Sequence, residues 1–421
     1  MSETNFPEGP IGTFVAAQVG GGTPSRQNPG FWNGPIPWAS VKDFDEGQIE
    51  LNETDEYITQ KGLTASATNL IPANTPIVCT RMAVGRVALA PMDVAINQDL
   101  KALFPTSSTD TRYLLRLADY AKPRAEAVSV GSTVKGIKVA DYLNIQVPLA
   151  PPPHQSKIAE ILDTLDAAIR GTEAVVAKLK AMKQGLLHDL LTRGIDANGD
   201  LRPPHPEAPH LYKQTPLGWL PKGWDWGRLA DYCSRICVGI VIRPADHYVD
   251  EGVPTFRSAN VREGYISESD FVYISAASNA LLHKSQIRKG DILTVRTGYP
   301  GTSAVVPEKY NGCNCVDILI STPLNSVSSE FLCSWINSPF GKGQVLSGQG
   351  GLAQQHFNVG EMRELIVVKP LKAEQEEITS KIDAAEVRIQ TEQNLLAKLR
   401  LQKSGLMDDL LTGRTLVTAL L

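Results

Sequence analysis

Few residues in this sequence could do covalent chemistry. Asn337-Ser338-Pro339-Phe340 comes nearest to the Asn/Asp/Ser-Pro-Pro-aromatic motif that grips a flipped adenine for methylation. It lacks the second proline, and no nucleotide-binding glycine turn accompanies it, so a helix-ending turn is the simpler reading. Gly20-Gly21-Gly22 is too short for a phosphate fingerprint and reads as a turn. Neither a P-loop (G-x4-G-K-[ST]) nor an H-E-x-x-H is present. Asp43, Asp45 and Glu46 stand close together, but a nuclease would also need a Glu-x-Lys, and none follows. Six cysteines are scattered: Cys79, Cys233, Cys237, Cys313, Cys315 and Cys333. The C-x3-C and C-x-C spacings of the middle four differ from the C-x2-C of common zinc sites. Reduced thiols in a cytoplasmic chain, with no metal, are the expectation.

What remains is binding. Sequence-specific contact with DNA needs Arg, Lys, Asn and Gln at groove edges and further cations on phosphates. The candidates in the first half are Ser25, Arg26, Lys42, Arg81 and Lys135. Those in the second half are Arg257, Asn260, Arg296, Thr302, Gln354 and Gln355. Arg81 and Arg296 stand out because each ends a short apolar strand, Pro76–Arg81 and Asp291–Arg296, with Gly85 or Gly301 just beyond. A bidentate arginine–guanine contact there would supply about 1–3 kcal/mol of discrimination. A salt bridge closing the strand end is the alternative.

These residues lie in blocks that recur, and the elements holding them recur more strongly. Ala177–Thr192 and Ala397–Thr412 agree at ten of sixteen positions with a constant offset of 220. Upstream, Ile158, Leu162, Leu165 and Ile169 fall opposite Ile378, Ile382, Ala385 and Ile389. Downstream, Leu179, Leu186 and Leu190 fall opposite Leu399, Leu406 and Leu410. Steps of three and four make a coiled-coil seam. Each helix opens after prolines (Pro151-Pro152-Pro153, Pro370) and runs about 38 residues, roughly 57 Å. Gly185 and Gly405 sit at matching places, which close helix approach would explain. If a two-fold axis relates the halves, the helices run antiparallel. The globular parts match more loosely: Trp38–Lys42 with Phe256–Asn260, and Ser129–Lys135 with Ser347–Gln354. Helix is expected near Thr111–Arg124 and Ser329–Asn337, among short strands with Gly/Pro turns. Gly194–Trp226, rich in Pro, Gly and Asp, reads as an extended linker.

With 421 residues the chain has room for two or three domains. No run of about 18 apolar residues would span a membrane, and the N-terminus has no secretory signal pattern. A net charge of −4 argues against non-specific coating of nucleic acid. It allows basic clefts offset by acidic helix residues such as Asp163, Asp166, Glu376 and Glu377. The expected fold is α+β: two globular domains of mixed short strands and helices, separated by two long helices in an antiparallel coiled coil, with an internal pseudo-two-fold duplication.

Gly21-Gly22-Thr23-Pro24-Ser25-Arg26 followed by Ile36–Asp43 resembles the opening of a target-recognition domain of type I restriction–modification specificity subunits. Pro153-His154-Gln155, Ile161-Leu162-Asp163, Glu374-Gln375, Ile382-Asp383 and the two Gly-to-Thr segments (185–192, 405–412) resemble the helical regions of that family. Thr215–Trp224 resembles its linker. The order domain–helix–linker–domain–helix matches over essentially the whole chain. The resemblance implies recognition domains at 1–150 and 227–369, helices at 151–193 and 370–413, a linker at 194–226 and a tail at 414–421. It implies a non-catalytic subunit that binds double-stranded DNA. Each recognition domain would read one half of a bipartite asymmetric target, while the helices set the spacer and dock two modification subunits. S-adenosylmethionine would belong to those subunits, and ATP and Mg to the restriction subunits of a system that has them. This chain would hold no cofactor. A methylation-only or other phage-defence system would use the same subunit. The rivals are a fused methyltransferase or nuclease and an adaptor that reads no DNA.

Overall fold

The computed structural model describes residues 6–347 and 357–420. It forms two compact units, residues 1–174 with 393–421, and residues 175–392.

Unit 1 contains strands β1 (Val15–Gly20), β2 (Trp32–Ala39), β3 (Glu56–Ile58), β4 (Asn69–Ile71), β5 (Pro76–Cys79), β6 (Val87–Leu89), β7 (Val94–Ile96) and β8 (Leu100–Pro105). Helix α1 (Thr111–Val128) follows, and then the long helix α2 (Pro152–Thr192) begins. One sheet has the order β1-β8-β5-β6 and is antiparallel throughout. The other has the order β3-β2-β7-β4, with β2 and β7 parallel. The apolar run of β5 is buried on both faces, which explains why it does not alternate. Val78 joins the helix-side core with Leu114 and Leu117. Ile77 and Cys79 face the second sheet with Ala39 and Ile96.

Unit 2 repeats this plan. Its strands are β9 (Cys233–Val238), β10 (Tyr248–Val249), β11 (Val253–Phe256), β12 (Val272–Ile274), β13 (Ile292–Val295), β14 (Ser303–Val305), β15 (Asn314–Cys315) and β16 (Ile318–Pro323). They are followed by α3 (Ser329–Asn337) and the start of α4 (Lys372–Thr412). The order β9-β16-β13-β14 reproduces the first sheet of unit 1. The second sheet, β10-β12-β11-β15, again holds one parallel pair, β11 with β15. In β13, Ile292 faces the helices and Leu293 and Val295 face the second sheet.

One buried glutamine ties helix to helix in each unit. Gln155 Oε1 accepts the Asp110 N–H at 2.9 Å, and its Nε2 donates to the Ala150 carbonyl at 3.0 Å. Gln375 Oε1 accepts the Ser328 N–H at 2.7 Å, and its Nε2 donates to the Pro370 carbonyl at 2.8 Å. Asp110 and Ser328 are the N-caps of α1 and α3. The glutamine therefore fixes each short helix on the first turn of its long helix.

The long helices pair antiparallel. In unit 1, Asp166 pairs with Lys403 at 2.7 Å and Glu173 with Arg400 at 2.6 Å, so numbers fall on α4 as they rise on α2. In unit 2, Lys183 pairs with Glu386 at 2.5 Å. Adding 220 to 166 and 183 gives 386 and 403, so Asp166–Lys403 and Lys183–Glu386 are one contact made twice. Every seam residue named from the periodicity is buried or half-buried. In unit 1 these are Ile158, Leu162, Leu165, Ile169, Leu399, Leu406 and Leu410. In unit 2 they are Leu179, Leu186, Leu190, Ile378, Ile382 and Ile389. Leu187, Leu191 and Leu411 form a second buried stripe against the unit cores. Each helix thus serves a neighbouring helix and a globular core at once.

Two expectations need correction. A Cβ on Gly185 or Gly405 would meet nothing within 4 Å, so close helix approach does not explain either glycine. Residues 194–226 are folded rather than extended. Tyr212–Thr215 and Gly218–Pro221 form a hairpin. Leu220 and Trp224, 1% exposed, enter the unit 2 core. Glu374 holds the segment by accepting from Ile195 N–H and Arg202. Pro and Gly shape these turns, while the apolar residues between them anchor the segment.

Candidate nucleic-acid interface

In unit 1 the loops at one end of the two sheets converge. Arg81 follows β5 with its side chain 56% exposed, and its Nη1 lies 3.3 Å from Asp99 Oδ1. Met82 takes a left-handed φ of 63° and is 63% exposed. Its N–H donates to the Lys135 carbonyl at 2.8 Å, and Arg81 bridges to Gly136. The Ser129–Lys135 loop is thereby laid beside Arg81, bringing together two of the expected cations. Val130 and Val134 are exposed in the same loop. Asp99 leads on to Gln98, whose Oε1 accepts the Thr23 hydroxyl at 2.6 Å. The turn containing Ser25 and Arg26 joins this edge through Thr23. Gly21 is required there, since its Cβ would stand 1.9 Å from the Ile96 carbonyl oxygen at the end of β7.

The candidates differ in how free they are. Ser25 and Lys42 are exposed, and the Ser25 carbonyl accepts the Trp32 indole N–H at 3.1 Å. Arg26 is exposed but engaged. It pairs with Glu56 through both guanidinium ends and stacks over the Trp32 ring, 4.0 Å from its centroid. The hydrogen bond from Arg26 holds the Glu56 carboxyl below its ordinary range. Lys42 and Lys135 are exposed without an ion pair among the described residues, and Arg81 is exposed beside Asp99.

Unit 2 places its candidates differently. Arg296 has its side chain only 17% exposed. It pairs with Asp317, and its Nε donates to the Phe357 carbonyl at 3.2 Å. Asp99 and Asp317 immediately precede β8 and β16, so the arginine–aspartate pair is duplicated, yet only Arg81 is open to solvent. Gly85 and Gly301, at φ 81° and 86°, close the equivalent turns through N–H donation to Cys79 and Val295 carbonyls. Asn260 is fully buried: its Oδ1 accepts the Arg257 N–H and its Nδ2 donates to Ser269 at 2.7 Å. That amide holds a loop and offers nothing to a base edge, which corrects the expectation for Asn260. Arg257 is half-buried and donates to the Asp270 carbonyl at 2.7 Å. Thr302 is half-buried, with both backbone groups used in its turn. Gln354 and Gln355 lie outside the described residues.

Arg243 escaped the sequence reading. It follows β9 much as Arg26 follows β1, is exposed at a left-handed φ of 43°, and has no ion pair among the described residues. Val241 and Ile242 beside it, and Tyr299 (78% exposed) near Arg296, present apolar surface. No shared motif marks Arg243, because the loops after β1 and β9 differ in sequence. Among the described residues no group of three or more His, Cys, Asp or Glu could hold a metal ion, and all six cysteines are free thiols. Burial pushes the Cys79 and Cys233 thiols up to about 12. No helix among the described residues is long and apolar enough to cross a membrane.

Each unit packs two four-stranded sheets with its own helices and carries exposed cations and apolar side chains at its loops, and the second unit repeats the plan of the first. Residues 13–181 match the family model of the type I restriction modification DNA specificity domain. The chain is 24% identical over 354 residues to the type I restriction enzyme MjaIX specificity subunit of Methanocaldococcus jannaschii, covering 79% of this chain and 78% of that protein. It is 31% identical over 176 residues to the EcoR124I/EcoR124II specificity subunit of Escherichia coli, covering 38% of this chain and 42% of that one. The fold resembles the crystal structure of a type I restriction–modification S subunit from M. genitalium, with a TM-score of 0.58 at 14% identity over 98% of this chain and 97% of the other. A chain from a study of type I complex assembly gives the same TM-score at 17% identity, over 98% and 99%. Over most of its length the chain is thus similar to specificity subunits of type I restriction–modification systems, and residues 13–181 match their DNA specificity domain.

Proposed function

We propose that this chain reads DNA sequence on behalf of a type I restriction–modification complex, each unit contacting one half of a bipartite, asymmetric target. Modification subunits dock along the helices, whose length sets the gap between half-sites, and methylation takes place in those subunits. One observation carries the reading. The duplication is kept where the helices pair, since Asp166–Lys403 recurs as Lys183–Glu386. It is abandoned at the loops, where Arg81 is open and Arg296 is closed. Equal helix surfaces suit two equal partners, and unequal loops suit two different half-sites.

In unit 1 the reading surface is the Arg81–Lys135 edge with Ser25 and Lys42 nearby. In unit 2 it is the surface around Arg243 and Tyr299. Arg26 and Arg257 support their loops from behind. Footprinting of the chain assembled with its modification subunits tests the reading. Two protected segments at a fixed separation are expected. Uniform protection of random DNA would leave an adaptor that reads no sequence.

A further inference from the structure

The duplication fails between the short and the long helix, where a buried arginine of unit 1 has no counterpart and the matching carboxylates of unit 2, Asp383 and Glu386, are exposed. In unit 1 the side chain of Arg116, 1% exposed, lies between α1 and α2. Its Nε is 3.1 Å from Asp163 Oδ1, and its guanidinium also reaches Asp166. Arg112 adds a second cation at 3.2 Å from Asp163. The helix caps fix the correspondence: Asp110 matches Ser328, so Arg112 matches Glu330 and Arg116 matches Ser334. On the long helix, Asp163 matches Asp383 and Asp166 matches Glu386.

In unit 2 both carboxylates therefore remain and both arginines are gone. Asp383 has no ion pair among the described residues, and Glu386 keeps only Lys183, the duplicate of Lys403. Burial, and then the Glu330 charge, raise the Asp383 carboxyl above its ordinary range. A cleft of about 310 Å³ occupies the place of the missing side chain, with Lys183, Glu263, Glu330, Ser334, Asp383 and Glu386 in its walls. That is the size of a small-ligand site. Lys183 pairs with Glu386 and Lys342 with Glu263, which leaves Glu330 and Asp383 without an ion pair among the described residues.

We propose that this cleft binds a guanidinium group, supplied by an arginine side chain of a protein docked on unit 2. The carboxylate pair is the one that already holds a guanidinium in unit 1, so the ligand class is read from the chain's own duplicate. Planar bidentate pairing favours guanidinium over ammonium at two carboxylates. Only the source of the arginine rests on the docking of partners proposed above; the site itself does not.

Calorimetric titration of the full chain with agmatine, a guanidinium on a butyl chain, tests the site. Saturable binding is expected, at least tenfold tighter than n-butylamine and at least tenfold weaker in Asp383→Asn. Ser334→Arg should fill the cleft, abolish agmatine binding and raise the melting temperature. Absence of saturation, or equal binding by Asp383→Asn, overturns the site. Capture of the modification subunit decides the source. Loss of capture in Ser334→Arg supports a partner arginine, while full capture alongside saturable agmatine binding assigns the cleft to a free guanidino compound and overturns the partner. Neither outcome depends on DNA reading, which footprinting tests separately.

Discussion

Arg116 shows how one side chain can reverse its expected place. It sits in the run Tyr113-Leu-Leu-Arg-Leu-Ala118, where every neighbour is buried, and is itself buried against two carboxylates. Arg116→Ala leaves Asp163 and Asp166 short of a partner. Arg112 and Lys403 remain, so the expected cost is at the lower end of about 3–5 kcal/mol, read by urea denaturation. Asp119 lies one turn further along α1, and burial is the main cause of its raised carboxyl pKa. The folded state therefore holds that proton more tightly than the unfolded chain. Its stability contribution is intact below the ordinary carboxylate pKa and lost as pH rises through the raised folded value. Asp119→Asn, the residue type found at the matching Asn337, should raise the melting temperature more at pH 7 than at pH 4. Gly185→Ala and Gly405→Ala meet only open space, and each should stabilise the helix by up to about 1 kcal/mol in the same denaturation assay.

At the scale of elements, Gln155 and Gln375 connect short and long helices in the same way. Gln155→Leu strips a partner from a cap N–H and from a helix-start carbonyl, and so does Gln375→Leu. Each should cost about 2–4 kcal/mol by chemical denaturation, since each leaves two buried polar groups unsatisfied. Much at this scale was legible in the sequence. The long helices, their seam and the offset of 220 follow from spacing alone, because a helix is a local structure with a strong period. Thr111–Arg124 and Ser329–Asn337 were legible for the same reason, and α1 and α3 cover them. Strand partners were not, because pairing such as β5 with β8 joins distant segments whose short apolar runs look alike. Gly194–Trp226 misled, since its turn residues mask the anchors Leu220 and Trp224. The interface was half legible. Arginine at a strand end marks Arg81 and Arg296 equally, and only the surroundings open one and close the other. Arg243 carried no repeat signal at all.

At the scale of the whole chain, the account rests on a duplication that is symmetric along the helices and asymmetric at the loops. Changes in unit 1 should therefore alter one half of a target and leave the other half unaltered. The most direct measurement is methylation sequencing of DNA from a host carrying the modification subunit with either the native chain or its Arg81→Ala/Lys135→Ala variant. The native chain should give modified adenines in one bipartite motif of fixed gap. The variant should relax or weaken a single half-site, by about 1–3 kcal/mol for the arginine if it contacts a base. A contiguous palindromic motif, or equal loss at both halves, would contradict the account.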